Sequence, residues 1–191
     1  TSTFRGPLQI LGSNNTDDFL VGHQYSGTNL VGNSSFEAGL TGWALGNTSA
    51  VKSTAQTYYG GSSVANVSAN NADNYISQTI PVVNGTFYTL SAWMYTTGSQ
   101  AGAFGSRGLF GVGAGACSTD LTTLPVATWT RQSCTFTASD SSVELRLYSG
   151  VNGGTTLYYD GVQLEAGVIT PYFDGSFGPG YAFVADAQIS S

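Results

Sequence analysis

Apolar and polar residues alternate with a period of two through most of the middle of the chain, the spacing of strands with one buried face. In 87–96, FYTLSAWMYT, the pattern sets Tyr88, Leu90, Ala92 and Met94 against Phe87, Thr89, Ser91, Trp93 and Tyr95. In 142–149, SVELRLYS, it turns Val143, Leu145 and Leu147 inward and Glu144, Arg146 and Tyr148 outward. WTRQSCTFT (129–137) places Thr130, Gln132, Cys134 and Phe136 opposite Trp129, Arg131, Ser133 and Thr135. TLYYDGVQLEAG (156–167) gives Tyr158, Val162 and Leu164 a shared face. Segments 62–69, 74–82 and the glycine-rich 107–115 read as further strands. Turn residues punctuate the runs: NGT at 84–86, TGSQAG at 97–102, NGG at 152–154. No stretch of about 11 residues or more carries a helical stripe. The prediction is all-β: an antiparallel β-sandwich of the jelly-roll type.

The ends break the pattern. Residues 1–28 and 170–191 read as N- and C-terminal arms outside a domain spanning 29–169. The second arm, TPYFDGSFGPGYAFVADAQISS, is rich in aromatic residues and glycine. Apolar arms without a core of their own are expected to pack on the sandwich or on another chain. Phe4, Arg5, Leu8, Ile10, Tyr172, Phe173, Phe177, Tyr181 and Phe183 are the predicted arm contacts.

Composition narrows the partners. Among 191 residues, Lys and Arg number 5 and Asp and Glu 11, a net charge of −6, which excludes the basic footprint that nucleic acid or an anionic membrane surface needs. Only 8% of residues are charged, so Ser, Thr and Asn carry the polar surface, as in many polysaccharide-facing, viral and extracellular β proteins. No apolar run reaches the roughly 20 residues of a spanning helix, and no signal peptide is read at the start. Cys117 and Cys134 lack the spacing of a CxxC pair; one disulfide and two buried thiols both fit.

NLVGNSSFEAGLTGW (29–43) resembles the opening of carbohydrate-binding modules of the family 4 and 9 type, a galactose-binding-like jelly roll, and YYDGVQLEAG (158–167) resembles their closing strand. YTLSAWMY and WTRQSCTF fit the strands between. LEAGVITPYFDG (164–175) resembles a tail that follows such modules in phage virion proteins. The resemblance implies a structural calcium ligated by Glu37 and Asp160; calcium prefers several hard oxygens at once. Read from the residues alone, Glu37 equally fits a carboxylate that caps the N–H groups of a tight loop. Trp43 is expected in the core.

A sugar site requires flat rings and fork-shaped donors on a non-core face. Trp93, Tyr95, Arg131, Arg146 and Tyr148 lie on that phase and form one polar-aromatic surface if their strands share a sheet, with Tyr75 as a further member. The same residues equally suit a subunit contact or a seat for the arms. Catalysis is not expected. His23 is the only histidine, no GxSxG elbow or phosphate loop is present, and no motif selects a carboxylate pair. The expected function is therefore a non-enzymatic virion structural protein (capsid decoration, cement, tail or fibre component). It would lie on the virion surface after assembly in the host cytoplasm, with other virion subunits and its own copies as partners. The alternative is an extracellular carbohydrate-binding module recognising glycans.

Overall fold

The alternating segments form strands because each can bury one face between two layers, and the computed structural model has that architecture. It describes residues 23–46, 48–67, 74–100, 107–113, 117–149, 154–174 and 180–184; for 23–27, 107–113 and 180–184 only the backbone is described. The strands are β1 (His23–Gly27), β2 (Ala44–Gly46), β3 (Val51–Ser53), β4 (Ser63–Val67), β5 (Tyr75–Pro81), β6 (Phe87–Thr96), β7 (Arg107–Gly113), β8 (Cys117–Asp120), β9 (Thr130–Thr137), β10 (Ser142–Tyr148), β11 (Thr156–Ala166) and β12 (Gly180–Val184). No α-helix occurs among the described residues; one short 3-10 turn spans Leu121–Thr123.

Sheet I has the order β2-β5-β10-β7-β8 and sheet II the order β3-β4-β11-β6-β9, five strands each, all paired antiparallel. From β5 onward the chain crosses repeatedly between layers, as a jelly roll does. Ile76, Ile80, Val143, Leu145 and Leu147 from sheet I meet Leu90, Met94, Phe136, Leu157, Tyr159 and Leu164 from sheet II in one buried cluster. The inward phases read for β6 and β10 hold, but three residues of the outer side, Thr89, Ser91 and Tyr148, are buried as well.

β11 departs from simple alternation. Its register with β6 shifts between Asp160 and Gln163, so one extra residue lies on the β11 side, as in a β-bulge. Leu157 and Tyr159 face the core before the bulge, Val162 and Leu164 after it. Tyr158 therefore points outward, which corrects the shared face expected for Tyr158, Val162 and Leu164.

Phe36 and Trp43 are core residues, with ring centroids 5.2 Å apart. The loop between them is held by Asn33, whose Nδ2 donates to the carbonyls of Gly39 and Thr41 and whose Oδ1 accepts from Ala38 N. Cys117 on β8 and Cys134 on β9 form a disulfide that joins an edge strand of sheet I to an edge strand of sheet II. Of the predicted arms, β1 and β12 pair antiparallel with each other, Tyr181 opposite Ser26 and Phe183 opposite Gln24. Residues 170–174 lie against the sandwich. Phe4, Arg5, Leu8, Ile10 and Phe177 are outside the described residues.

Candidate functional site

The six residues expected on one polar-aromatic face occupy two. Trp93 and Tyr95 on β6 and Arg131 on β9 belong to sheet II; Tyr75 on β5 and Arg146 and Tyr148 on β10 belong to sheet I. The condition that their strands share a sheet fails.

On sheet II the chain covers its own aromatics. The loop before β4 carries Tyr58 and Tyr59 over the sheet. Tyr58 stacks on Trp93 at 3.8 Å between centroids and 18° between planes, and Tyr59 stacks on Tyr172 at 4.3 Å. Two carboxylates fix this loop. Asp160 Oδ2 accepts from Tyr58 N (2.7 Å) and Tyr59 N (2.9 Å), and Oδ1 from Gly161 N (2.7 Å). Glu37 Oε1 accepts from Gly61 N (2.8 Å) and Ser62 N (2.9 Å). Burial pushes the Asp160 carboxyl up to about 6, against the pull of its three N–H donors, and the Glu37 charge adds to the rise. Gly161 has φ +54, and a Cβ there would lie 2.7 Å from Tyr59 Cδ2, so only glycine lets the ring come this close.

A strap formed by residues 170–174 completes the cover. Arg131 donates to Thr170 O (2.7 Å) and Ser91 Oγ (2.9 Å). Buried Glu165 accepts from Thr170 N (2.9 Å) and Gln163 Nε2 (2.8 Å). Asn29 Nδ2 bridges Val162 O and Phe173 O, while Gln163 Oε1 accepts from Phe173 N. Tyr172 OH meets Ser34 Oγ at 2.7 Å, and the Ser34 and Ser35 hydroxyls donate to Asp174. Burial lowers the Arg131 guanidinium, with Glu165 acting in the opposite sense. Burial likewise raises the Tyr172 phenol.

Sheet I presents a different cluster. Tyr75 and Tyr148 are directly cross-strand, with ring centroids 5.3 Å apart. The Arg146 guanidinium lies 4.2 Å above the Tyr75 ring and pairs with Glu144 Oε2 at 2.7 Å. That bond holds the Glu144 carboxyl below the usual carboxylate range and raises the arginine. Gly46 on β2 makes room for the Tyr75 ring, which a Cβ would meet at 2.6 Å. Glu144, Arg146 and Tyr75 are half-buried; the two charged groups bond to each other, to Tyr148 and to Ser77 on β5, and fasten no loop or strap in the way Arg131 does.

A family model for the carbohydrate binding domain of types 4 and 9 matches residues 28–155. The chain belongs to this family. No curated protein sequence matches it. Solved structures share the domain's fold. The CBM22-1 xylan-binding domain of Xyn10C from Paenibacillus barcinonensis is 19% identical, with 76% of this chain and 98% of that one covered and a TM-score of 0.53. TmCBM61, solved with β-1,4-galactotriose, is 14% identical, with 73% and 99% covered and a TM-score of 0.51. The Stig cyclase Fisc from Fischerella sp. TAU is 15% identical, with 76% and 100% covered and a TM-score of 0.55. At these identities the likeness is one of fold.

In this carbohydrate-binding domain the calcium set expected at Glu37 and Asp160 does not fit an ion. Asp160 Oδ2 and Glu37 Oε1 each already accept two N–H groups, and donors aimed at a carboxylate point their positive ends where a cation would sit. No group of three His, Cys, Asp or Glu side chains able to hold a metal occurs among the described residues. The loop-capping reading of Glu37 describes what both carboxylates do.

Sequence reasoning passed over Tyr58, Tyr59, Trp129 and Glu144 as site residues. Tyr58 and Tyr59 sit in an aperiodic TYYGG stretch with no strand signal. Trp129 and Glu144 are on the outward phase; the pairing of Trp129 with Tyr95 depends on cross-strand register, which alternation alone does not supply, whereas that of Glu144 with Arg146, two residues on along β10, follows from the strand period and went unread.

Proposed function

We propose that this domain binds a saccharide, without catalysis, on the outer face of sheet I around Tyr75, Glu144 and Arg146. The observation that carries the reading is the Arg146–Tyr75–Glu144 cluster. Its ring offers area to sugar C–H groups, its guanidinium offers fork-shaped donors, and its carboxylate accepts from hydroxyls. The family match, which spans all of β5 and β10, supports it. The chain's net charge of −6 and the internally paired Arg146 favour a neutral glycan over a polyanionic one.

Calorimetric titration of the full chain with neutral β-1,4-linked oligosaccharides tests this. Tyr75→Ala and Arg146→Ala should each weaken binding tenfold or more with an unchanged far-UV spectrum. Full affinity in both variants would rule the site out.

The virion structural role is a second reading, favoured by one observation: β1 and β12, both outside the family match, pair into a two-stranded sheet. Such a sheet is marginal alone and gains from a neighbour. Light scattering separates the readings: self-association supports a structural role, and a monomer that binds sugar removes it.

A further inference from the structure

We infer that the outer face of sheet II carries a second saccharide-binding surface, lined by Tyr58, Tyr95, Trp129 and Tyr158, that takes neutral sugar rings by stacking. The inference rests on reading the chain as a saccharide binder and extends it to the opposite face.

These four rings form a connected row: Tyr158 on β11, Tyr95 on β6, Trp129 just before β9 and Tyr58 in the loop before β4. Tyr158 meets Tyr95 edge-on at 5.9 Å, Tyr95 meets Trp129 at 5.6 Å, and Trp129 meets Tyr58 at 5.8 Å. Tyr58 is 42% exposed, and the other three are half-buried. Of the rings on this face, Trp93 lies under Tyr58 and Tyr59 lies against Tyr172, so neither can serve. The row is anchored at its Tyr58 end. One face of Tyr58 rests on Trp93, and its backbone N–H is fixed by Asp160, leaving the opposite face outward. A ring held in advance gives up little entropy when a ligand lands on it.

Charge selects the occupant. Arg131 is bonded to Thr170 O and Ser91, and Asp160 sits beneath the loop with three N–H donors. The row itself contains no charged residue. The phenol hydroxyls of Tyr58, Tyr95 and Tyr158 make no hydrogen bond among the described residues. An uncharged face of ring area edged with free hydroxyls matches a partner built of C–H patches and hydroxyls, and offers nothing to a carboxylated or sulfated one. Neighbouring planes tilt by 47° and 56°, so the row suits a twisted chain rather than a flat crystal surface.

Tryptophan emission reports on this face alone. Trp129 belongs to the row, Trp93 lies beneath it, Trp43 is in the core, and sheet I's cluster contains no tryptophan. The full-length protein is titrated with xylohexaose, cellohexaose and β-1,4-galactotriose while acrylamide quenching is followed, with Trp129→Phe identifying the responding indole. At least one sugar should halve quenching of Trp129. Tyr95→Ala should weaken that response tenfold, and Tyr75→Ala should leave it in place. Loss of calorimetric heat in Tyr75→Ala alongside an intact Trp129 response would support both sites. An intact response with unchanged heat in Tyr75→Ala would remove the sheet I site and keep this one. The inference is overturned if no sugar protects Trp129, if Trp129 is already shielded in the free protein, if the response disappears in Tyr75→Ala, or if Tyr95→Ala dissociates an oligomer instead.

Discussion

The two outer faces of the sandwich each carry an arginine beside aromatic rings, yet the two arginines do opposite work. On sheet II, Arg131 reaches from β9 to the carbonyl of Thr170 and tethers the strap, while a loop anchored by Asp160 lays Tyr58 and Tyr59 over β6. On sheet I, Arg146 pairs with Glu144 two residues away on its own strand and lies on the ring of Tyr75. The difference shows that outward phase and residue type do not by themselves identify a binding group. What matters is whether another part of the chain has already taken its hydrogen bonds.

The sharpest way to break this contrast is to release the sheet II loop. Asp160→Ala leaves the N–H groups of Tyr58, Tyr59 and Gly161 without their acceptor and should lower stability by about 3–5 kcal/mol, read from the denaturant midpoint. A loss below about 1 kcal/mol would mean that the ring stack holds the loop unaided. The paired test compares the arginines. Arg131→Ala should lower stability by about 2 kcal/mol, since its bonds bury and fix the strap. Arg146→Ala, whose ion pair is partly solvated, should change it by less than about 1 kcal/mol while removing sugar binding. Equal losses would erase the distinction between the faces.

The two faces should also respond to pH with opposite signs. Asp160 is raised to about 6 in the folded protein, above the value near 3.9 of an unfolded aspartate. Its stabilising contribution is therefore fully present below about pH 3.9 and lost as pH rises through about 6. Wild type measured against Asp160→Asn should gain of order 2 kcal/mol between pH 7 and pH 4. Glu144 is lowered by Arg146, so its contribution is present above the ordinary glutamate range and fades as acid takes the pH below it. Wild type against Glu144→Gln should show that smaller, opposite trend. The smallest expected effect is that of calcium: neither millimolar calcium nor a chelator should move Tm. A rise with calcium would mean that the loop re-forms around an ion.

The layered fold was legible in the sequence because β6 and β10 alternate cleanly and each buries one face. The family ends were legible too, since the stretches around Asn33, Phe36 and Asp160 carry unusual residues at fixed positions. Less accessible was which strands share a layer. Tyr75, Arg146 and Trp93 have the same outward phase, but sheet membership follows from long-range pairing that local alternation does not encode. Short edge strands such as β2 and β3, three residues each, give too little pattern to register. That the C-terminal arm would pack on the sandwich or on another chain was expected from its rings; what holds residues 170–173 was not, because the anchors Asn29, Gln163 and Glu165 read as ordinary polar residues until the fold brings them there.

The bulge at Gly161 sets the timing of the closing strand. Upstream of it odd-numbered side chains enter the interior, and downstream even-numbered ones do. If the same residues paired as a regular ribbon with no bulge, the second half would fall out of step, turning Val162 and Leu164 to water and driving Gln163 and Glu165 inward. That one glycine lets the same ribbon complete the core and still carry the groups that fasten the chain's departing end.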